Sequence, residues 1–136
     1  MGSGTTGVSG VVSAANSLVG SNLDDDVGNP GVTVLTNGNY VVRSATWDNG
    51  ALIDAGAVTW GNGATGVSGV ISAANSLIGN SANDYVGLND SVTALSNGNY
   101  VVRTLEWNNG IFSNAGAVTW GNGTTGIRGI ITAANS

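Results

Sequence analysis

Apolar positions in this chain fall into short β-branched runs, each closed by glycine and asparagine, and the order of the runs recurs along the sequence. Residues 32–35 read VTVL and residues 40–47 read YVVRSATW, with TNGN between them. Runs of this length bounded by turn residues predict strands. Asn-Gly tolerates the positive φ values of a two-residue hairpin turn, so these two runs are expected as antiparallel neighbours. After DNGALIDA comes GAVTW at 56–60, where Val58 and Trp60 share one face and Ala57 and Thr59 the other, which predicts a third strand. The segment VSGVISAANSLIG at 67–79 alternates in its first half and turns polar in its second. It reads as a fourth strand at an edge, running out into a loop.

The same order of runs returns about sixty residues later. Residues 4–29 realign on 63–88 with 17 of 26 positions identical. After a one-residue insertion near Asp90, residues 32–60 realign on 92–120 with 19 of 29 identical, and 61–76 on 121–136 with 11 of 16. The opening segment thus has three copies: GTTGVSGVVSAANS, GATGVSGVISAANS and GTTGIRGIITAANS. Tandem self-similarity at this period marks a repeat architecture. The expected organisation is an added start at 1–3, an extra copy of the outer-strand segment at 4–20, a first repeat at 21–79 and a second at 80–136.

Four antiparallel strands per sixty residues, in tandem, predict an all-β fold of β-propeller blades: two blades per chain plus one extra strand. The rival is a β-helix or other β-solenoid, since sixty residues also make three coils. The candidate coil starts Val11, Val32 and Ala57 lie 21 and 25 residues apart and carry different motifs, which favours blades. Two blades do not make a propeller, and a pair would expose apolar faces at both ends. The chain is therefore expected to associate with itself, three copies giving six blades and four giving eight, through a head-to-tail interface that closes.

Composition narrows the chemistry. Only 8 % of residues are charged, with three arginines, no lysine and a net charge of −5. Nucleic-acid binding, which rests on clustered Lys and Arg, is not expected. No apolar run approaches the ~20 residues of a spanning helix, so no membrane insertion is expected. Cysteine is absent, which removes disulfides and thiolate metal sites. Histidine is absent too, leaving acid–base work to carboxylates, tyrosines or an N-terminal amine. Among the acids only Asp25 and Asp84 align between repeats, and no motif selects a catalytic pair, so the expectation is a protein that is not an enzyme and carries no cofactor. The run DDD at 24–26 offers oxygen ligands for calcium, but the second repeat reads NDY there, and a solvated loop is expected instead.

Two residue pairs stand out as candidate ligand contacts. Trp47 and Trp107 end the second strands beside Asn and Asp, a setting that suits either sugar stacking or packing between repeats. Arg43 and Arg103 sit in strands otherwise filled by small and apolar residues, where they serve either an acidic ligand or a structural bridge. Trp60, Trp120, Tyr40 and Tyr100 read as blade-packing residues.

The order of LIG, VG at 86–87, VTALSNGNYVVRT, AGAVTWGNG and GIRG resembles the FG-GAP repeat of integrin α-subunit propellers. VG stands where those repeats have Phe-Gly, and AGAVTW at 115–120 where they have a Gly-aliphatic-aromatic third strand. Through SNGNYVV, AGAVTWGNG and VSAANSLVG the chain resembles still more closely the Gly/Asn-rich repeats of large bacterial filamentous-haemagglutinin-like surface and adhesin proteins. That resemblance implies an extracellular or cell-surface location and a structural or adhesive role. FG-GAP blades often carry a calcium loop of alternating Asp/Asn and Gly, whereas TNGN and SNGN here lack an acid, so calcium binding is not carried over. The functional expectation is a self-assembling structural module; the alternative is a carbohydrate-binding module built on the recurrent tryptophans.

Overall fold

A computed structural model describes residues 7–136, so the added start at 1–3 lies outside the described residues. The described chain is all-β and contains no helix. Its strands are β1 (Leu18–Val19), β2 (Pro30–Val34), β3 (Tyr40–Ser44), β4 (Ala57–Gly61), β5 (Gly69–Val70), β6 (Ser76–Ile78), β7 (Val92–Ala94), β8 (Tyr100–Thr104), β9 (Ala117–Gly121) and β10 (Gly129–Ile130).

In the first repeat β2, β3, β4 and β6 form four successive antiparallel strands, and β10 from the second repeat adds to the β6 edge in parallel, giving the order β10-β6-β4-β3-β2. The second repeat forms the sheet β7-β8-β9. β1 and β5 make a separate parallel pair, Leu18 opposite Gly69 and Val19 opposite Val70. None of these sheets closes on itself.

Two local features differ from the expected ones. The hairpin turn has three residues, because the Leu35 N–H bonds to the Asn39 carbonyl and the Gly38 N–H to the Leu35 carbonyl, with Gly38 at φ 86°. This is the three-residue loop in which glycine takes the left-handed position; Asn37 Oδ1 accepts the Asn39 N–H within the turn, and its amide N–H points out of it. Segment 67–79 is not one strand either. Its first half, β5, leaves the sheet to pair with β1, and its second half, β6, is the fully buried fourth strand. The polarity that argued against a strand belongs to the turn between them. There the Asn75 carboxamide accepts the Ser72 N–H at 3.0 Å and donates to the Val70 carbonyl at 2.9 Å. Ser76 itself meets Thr59, oxygen to oxygen, at 2.6 Å.

Strand register assigns two faces to each sheet. In the first, Thr33, Val41, Arg43, Val58, Trp60 and Leu77 share a front face, and Val32, Val34, Val42, Ala57, Thr59 and Ile78 the rear. The main core joins Val41, Val58 and Leu77 of that front face to Val92, Tyr100 and Val102 on the rear face of the second sheet. The two repeats therefore pack face to face, front on rear. A second cluster of Trp47, Ala57, Ile71 and Ile78, backed by Leu18 and Val27, lies behind the first sheet. Its counterparts Trp107, Ala117 and Ile131, with Leu77 and Val86, are part of the main core, so Trp47 and Trp107 share clusters with the equivalent leucines Leu18 and Leu77. Each fully buried Val or Leu contributes roughly 1.5–3 kcal/mol relative to exposure.

Tyrosine explains the glycine after each third-strand tryptophan. Tyr100 is opposite Gly121, and a Cβ on Gly121 would stand 2.2 Å from the ring; Tyr40 and Gly61 repeat the arrangement. The ring covers the strand where a side chain is missing. The Tyr100 hydroxyl accepts the Ile127 N–H at 3.1 Å, and burial pushes its pKa up, more than that bond lowers it. Tyr40 is raised by burial in the same way, and Tyr85 by burial and then by the carboxylates of Asp54 and Glu106. With no lysine or cysteine in the chain, these phenols dominate titration near their ordinary value of 10.0. Raised folded-state values mean that the native protein binds more protons than the unfolded one, so stability is full below that pH and falls as pH rises through the folded values. Urea unfolding at pH 9 and pH 11 will show a lower midpoint at pH 11; an unchanged midpoint would contradict this.

Candidate functional site

The seam between the repeats is where recurrent polar side chains converge. Three N–H donors of the first repeat meet on one carbonyl of the second: Asn37 Nδ2 at 2.8 Å, Asn39 Nδ2 at 2.7 Å and Trp60 Nε1 at 3.0 Å from the Gly123 oxygen. The three-residue turn places Asn37 and Asn39, and the end of β4 places Trp60 on the same front face. Gly123 is held by the Asn99 carboxamide, which accepts its N–H at 3.0 Å. A Cβ on Gly123 would lie 1.6 Å from the Gly98 oxygen, so only glycine allows this approach. Thr36 adds a bond to the Leu95 carbonyl at 3.3 Å. A buried carbonyl with multiple donors fixes register as well as contributing energy.

The predicted site residues divide. Trp47 and Trp107 are 4 % and 5 % exposed, inside the two cores, so neither ring offers a face to a sugar. Their indole nitrogens make no hydrogen bond. Arg43 is buried at the seam, donating to the Asn89 carbonyl and lying 3.3 Å from Asp90 Oδ1. The Asp90 side chain is fully exposed, so the ion pair is screened and the carbonyl bond is the main anchor. Arg103 is exposed and donates to the Asp90 carbonyl at 2.9 Å, beside a groove formed with Tyr85, Leu88, Asn89, Leu105 and Glu106. The two arginines thus reach one loop from different repeats, the first as a bridge and the second at an open face.

Asp25 is not the solvated loop residue expected from DDD. It is buried, its Oδ2 accepting the Ser21 and Asn22 N–H groups at 2.6 and 2.8 Å and its Oδ1 the Asp48 N–H at 2.9 Å. Asp84 is equally buried, accepting the N–H groups of Asn80, Ser81 and Asn108 and the Asn108 carboxamide. The recurrence of these two acids is explained by backbone donors that need an acceptor. Among the described residues no group of three His, Cys, Asp or Glu is placed to hold a metal ion.

Sequence reasoning missed Asn37, Asn39 and Gly123 as one cluster. The signal was present as GNG directly after each third-strand tryptophan, at 61–63 and 121–123, at a constant distance from the NGN turn.

Residues 1–29, 34–88 and 94–136 match the family described as a repeat of unknown function (DUF5650). The chain belongs to this family. The matched stretches follow the repeats, each running through the AAN turn. Comparison with curated proteins and with solved structures found no match.

The seam generates a paired test. Asn37→Ala removes the bond to Gly123 together with a local turn bond, whereas Asn97→Ala removes only the matching turn bond to Asn99 N–H. Urea unfolding will show Asn37→Ala the more destabilising by about 1 kcal/mol. Equal effects would mean that the seam bond contributes nothing.

Proposed function

We propose that this chain is a non-catalytic structural module whose task is to continue a stack of its own repeats, and that copies associate front to rear as the two repeats do within one chain. One observation carries the reading: Val58 is fully buried in the seam, while its counterpart Val118 is 59 % exposed, with Trp120 beside it at 52 %. At the other end Val32 and Val34 are exposed on the rear face of the first sheet, where their counterparts Val92 and Ala94 are covered. The chain thus presents, unpaired, both halves of an interface it already makes once. Exposed apolar faces of this kind are association sites.

A further layer of the proposal is the arrangement. Four antiparallel strands in the first repeat are compatible with a propeller blade, and a ring of three or four chains would bury every front and rear face. The resemblance to surface and adhesin repeats supports an extracellular or cell-surface setting for such an assembly. Buried Trp47 and Trp107 turn the reading away from a carbohydrate module.

Light scattering on a sizing column across a range of concentrations tests this directly. A mass of three or four times 13.4 kDa supports the closed ring, and a mass that grows with concentration supports an open stack. A monomer at every concentration would overturn the proposal.

A further inference from the structure

The segments that follow β4 and β9, residues 62–75 and 122–135, are rich in glycine, serine and threonine and contain none of the chain's eight acidic residues. Both contribute walls to a cleft of about 180 Å³ at the seam. Trp60, Val67 and Asn75 line it from the first repeat, and Thr125, Ile127 and Arg128 from the second. Both walls thus belong to one chain. Ser68, the first-repeat counterpart of Arg128, is exposed with the second repeat packed against the first, so exposure at this position survives a neighbouring repeat.

The polar and aromatic groups of the cleft are held in place. The Trp60 indole donates to the Gly123 carbonyl at 3.0 Å, and Gly126 approaches so closely that a Cβ on it would stand 2.7 Å from Trp60 Cβ. The indole is half-buried, so its orientation is fixed while part of its surface stays open. Asn75 Oδ1 accepts the Ser72 N–H and its Nδ2 donates one hydrogen to the Val70 carbonyl, which leaves the second for a ligand. The Thr125 hydroxyl makes no hydrogen bond among the described residues. Arg43 and Arg103 are bonded to carbonyls of the 89–90 loop, but Arg128 has neither a hydrogen bond nor an ion pair among the described residues. In a chain of net charge −5, an unpaired guanidinium in a stretch without carboxylates is a local positive centre.

We infer that this cleft binds an acidic sugar, a pyranose ring that carries a carboxylate. The carboxylate meets the Arg128 guanidinium, whose planar fork offers it two parallel N–H donors. The apolar face of the ring lies on the Trp60 indole, and its hydroxyls reach the Asn75 carboxamide and the Thr125 hydroxyl. Clefts for drug-sized ligands run to about 300–1,000 Å³, so the smaller volume here suits a single ring. A simple aliphatic acid would leave the indole unused, and a neutral sugar would leave the guanidinium unused. Neither Trp47 nor Trp107 takes part, and no contact between copies is needed.

NMR titration of the intact chain with D-glucuronate, D-glucose and acetate, following the four tryptophan indole N–H signals, is the test. Glucuronate is expected to shift the Trp60 signal saturably and to leave those of the buried Trp47 and Trp107 in place. Arg128→Ser, at an exposed position and copying the first repeat, is expected to weaken that binding about tenfold, with the other indole signals reporting that the variant is folded. A Trp60 shift as strong with glucose would show a site that ignores charge, and one as strong with acetate an anion site without a ring; either overturns the inference. An unmoved Trp60 signal, or glucuronate binding unchanged in Arg128→Ser, overturns it as well.

Discussion

A sheet of four short strands has two faces, and sixty residues rich in glycine and asparagine cover the rear face of the first sheet with Trp47, Ile71 and Val27 but leave its front face to the next repeat. Everything distinctive in this chain follows from that shortage. Among the described residues there is no helix to lie across a sheet, and the front face of the first repeat is covered by the rear face of the second. Val41, Val58 and Leu77 are buried because Val92, Tyr100 and Val102 lie against them. Removing these side chains from water at the seam stabilises the fold.

Burial alone does not set a register, and here polar groups do. The Gly123 carbonyl receives two carboxamides and an indole from the neighbouring repeat, and Arg43 reaches across to the Asn89 carbonyl. Such bonds contribute modestly each, but a slipped register would leave several of them unmade in a partly dry seam. Parallel strand pairs add a second link: β10 lies on β6 and β5 on β1, so successive repeats are joined through their backbones as well as through side chains. The two repeats are thus joined through side chains and backbone alike, and the exposed Val118 stands at the position that Val58 holds inside the seam.

Much of this was legible in the sequence, and the failures have specific causes. Period-two alternation placed β2, β3, β4 and their counterparts, since Val58 and Trp60 do share a face. Asn-Gly marked the hairpin correctly but not its length, because the same dipeptide serves a two-residue turn and a three-residue turn with glycine in the left-handed position. The division of 67–79 into β5 and β6 was hidden because one continuous segment serves two sheets, and its Ser and Asn residues bond to one another and to backbone. Asp25 and Asp84 aligned as the recurrent acids, yet their role needed the fold, since their partners are N–H groups that carry no sequence signature. For Trp47 and Arg43 the sequence left two readings open, and the packing decides: Trp47 is enclosed by Ala57, Ile71 and Ile78 of its own repeat, while Arg43 reaches the Asn89 carbonyl of the next.

If the front-to-rear seam is what holds the chain together, the two repeats must unfold as one unit. The four tryptophans, two in each repeat, provide indole N–H resonances that can be followed individually through a urea titration by NMR. The account predicts that the native signals of Trp47, Trp60, Trp107 and Trp120 disappear at one common midpoint. Separate midpoints for the Trp47/Trp60 and Trp107/Trp120 pairs would show that each repeat stands without the other, and would contradict it.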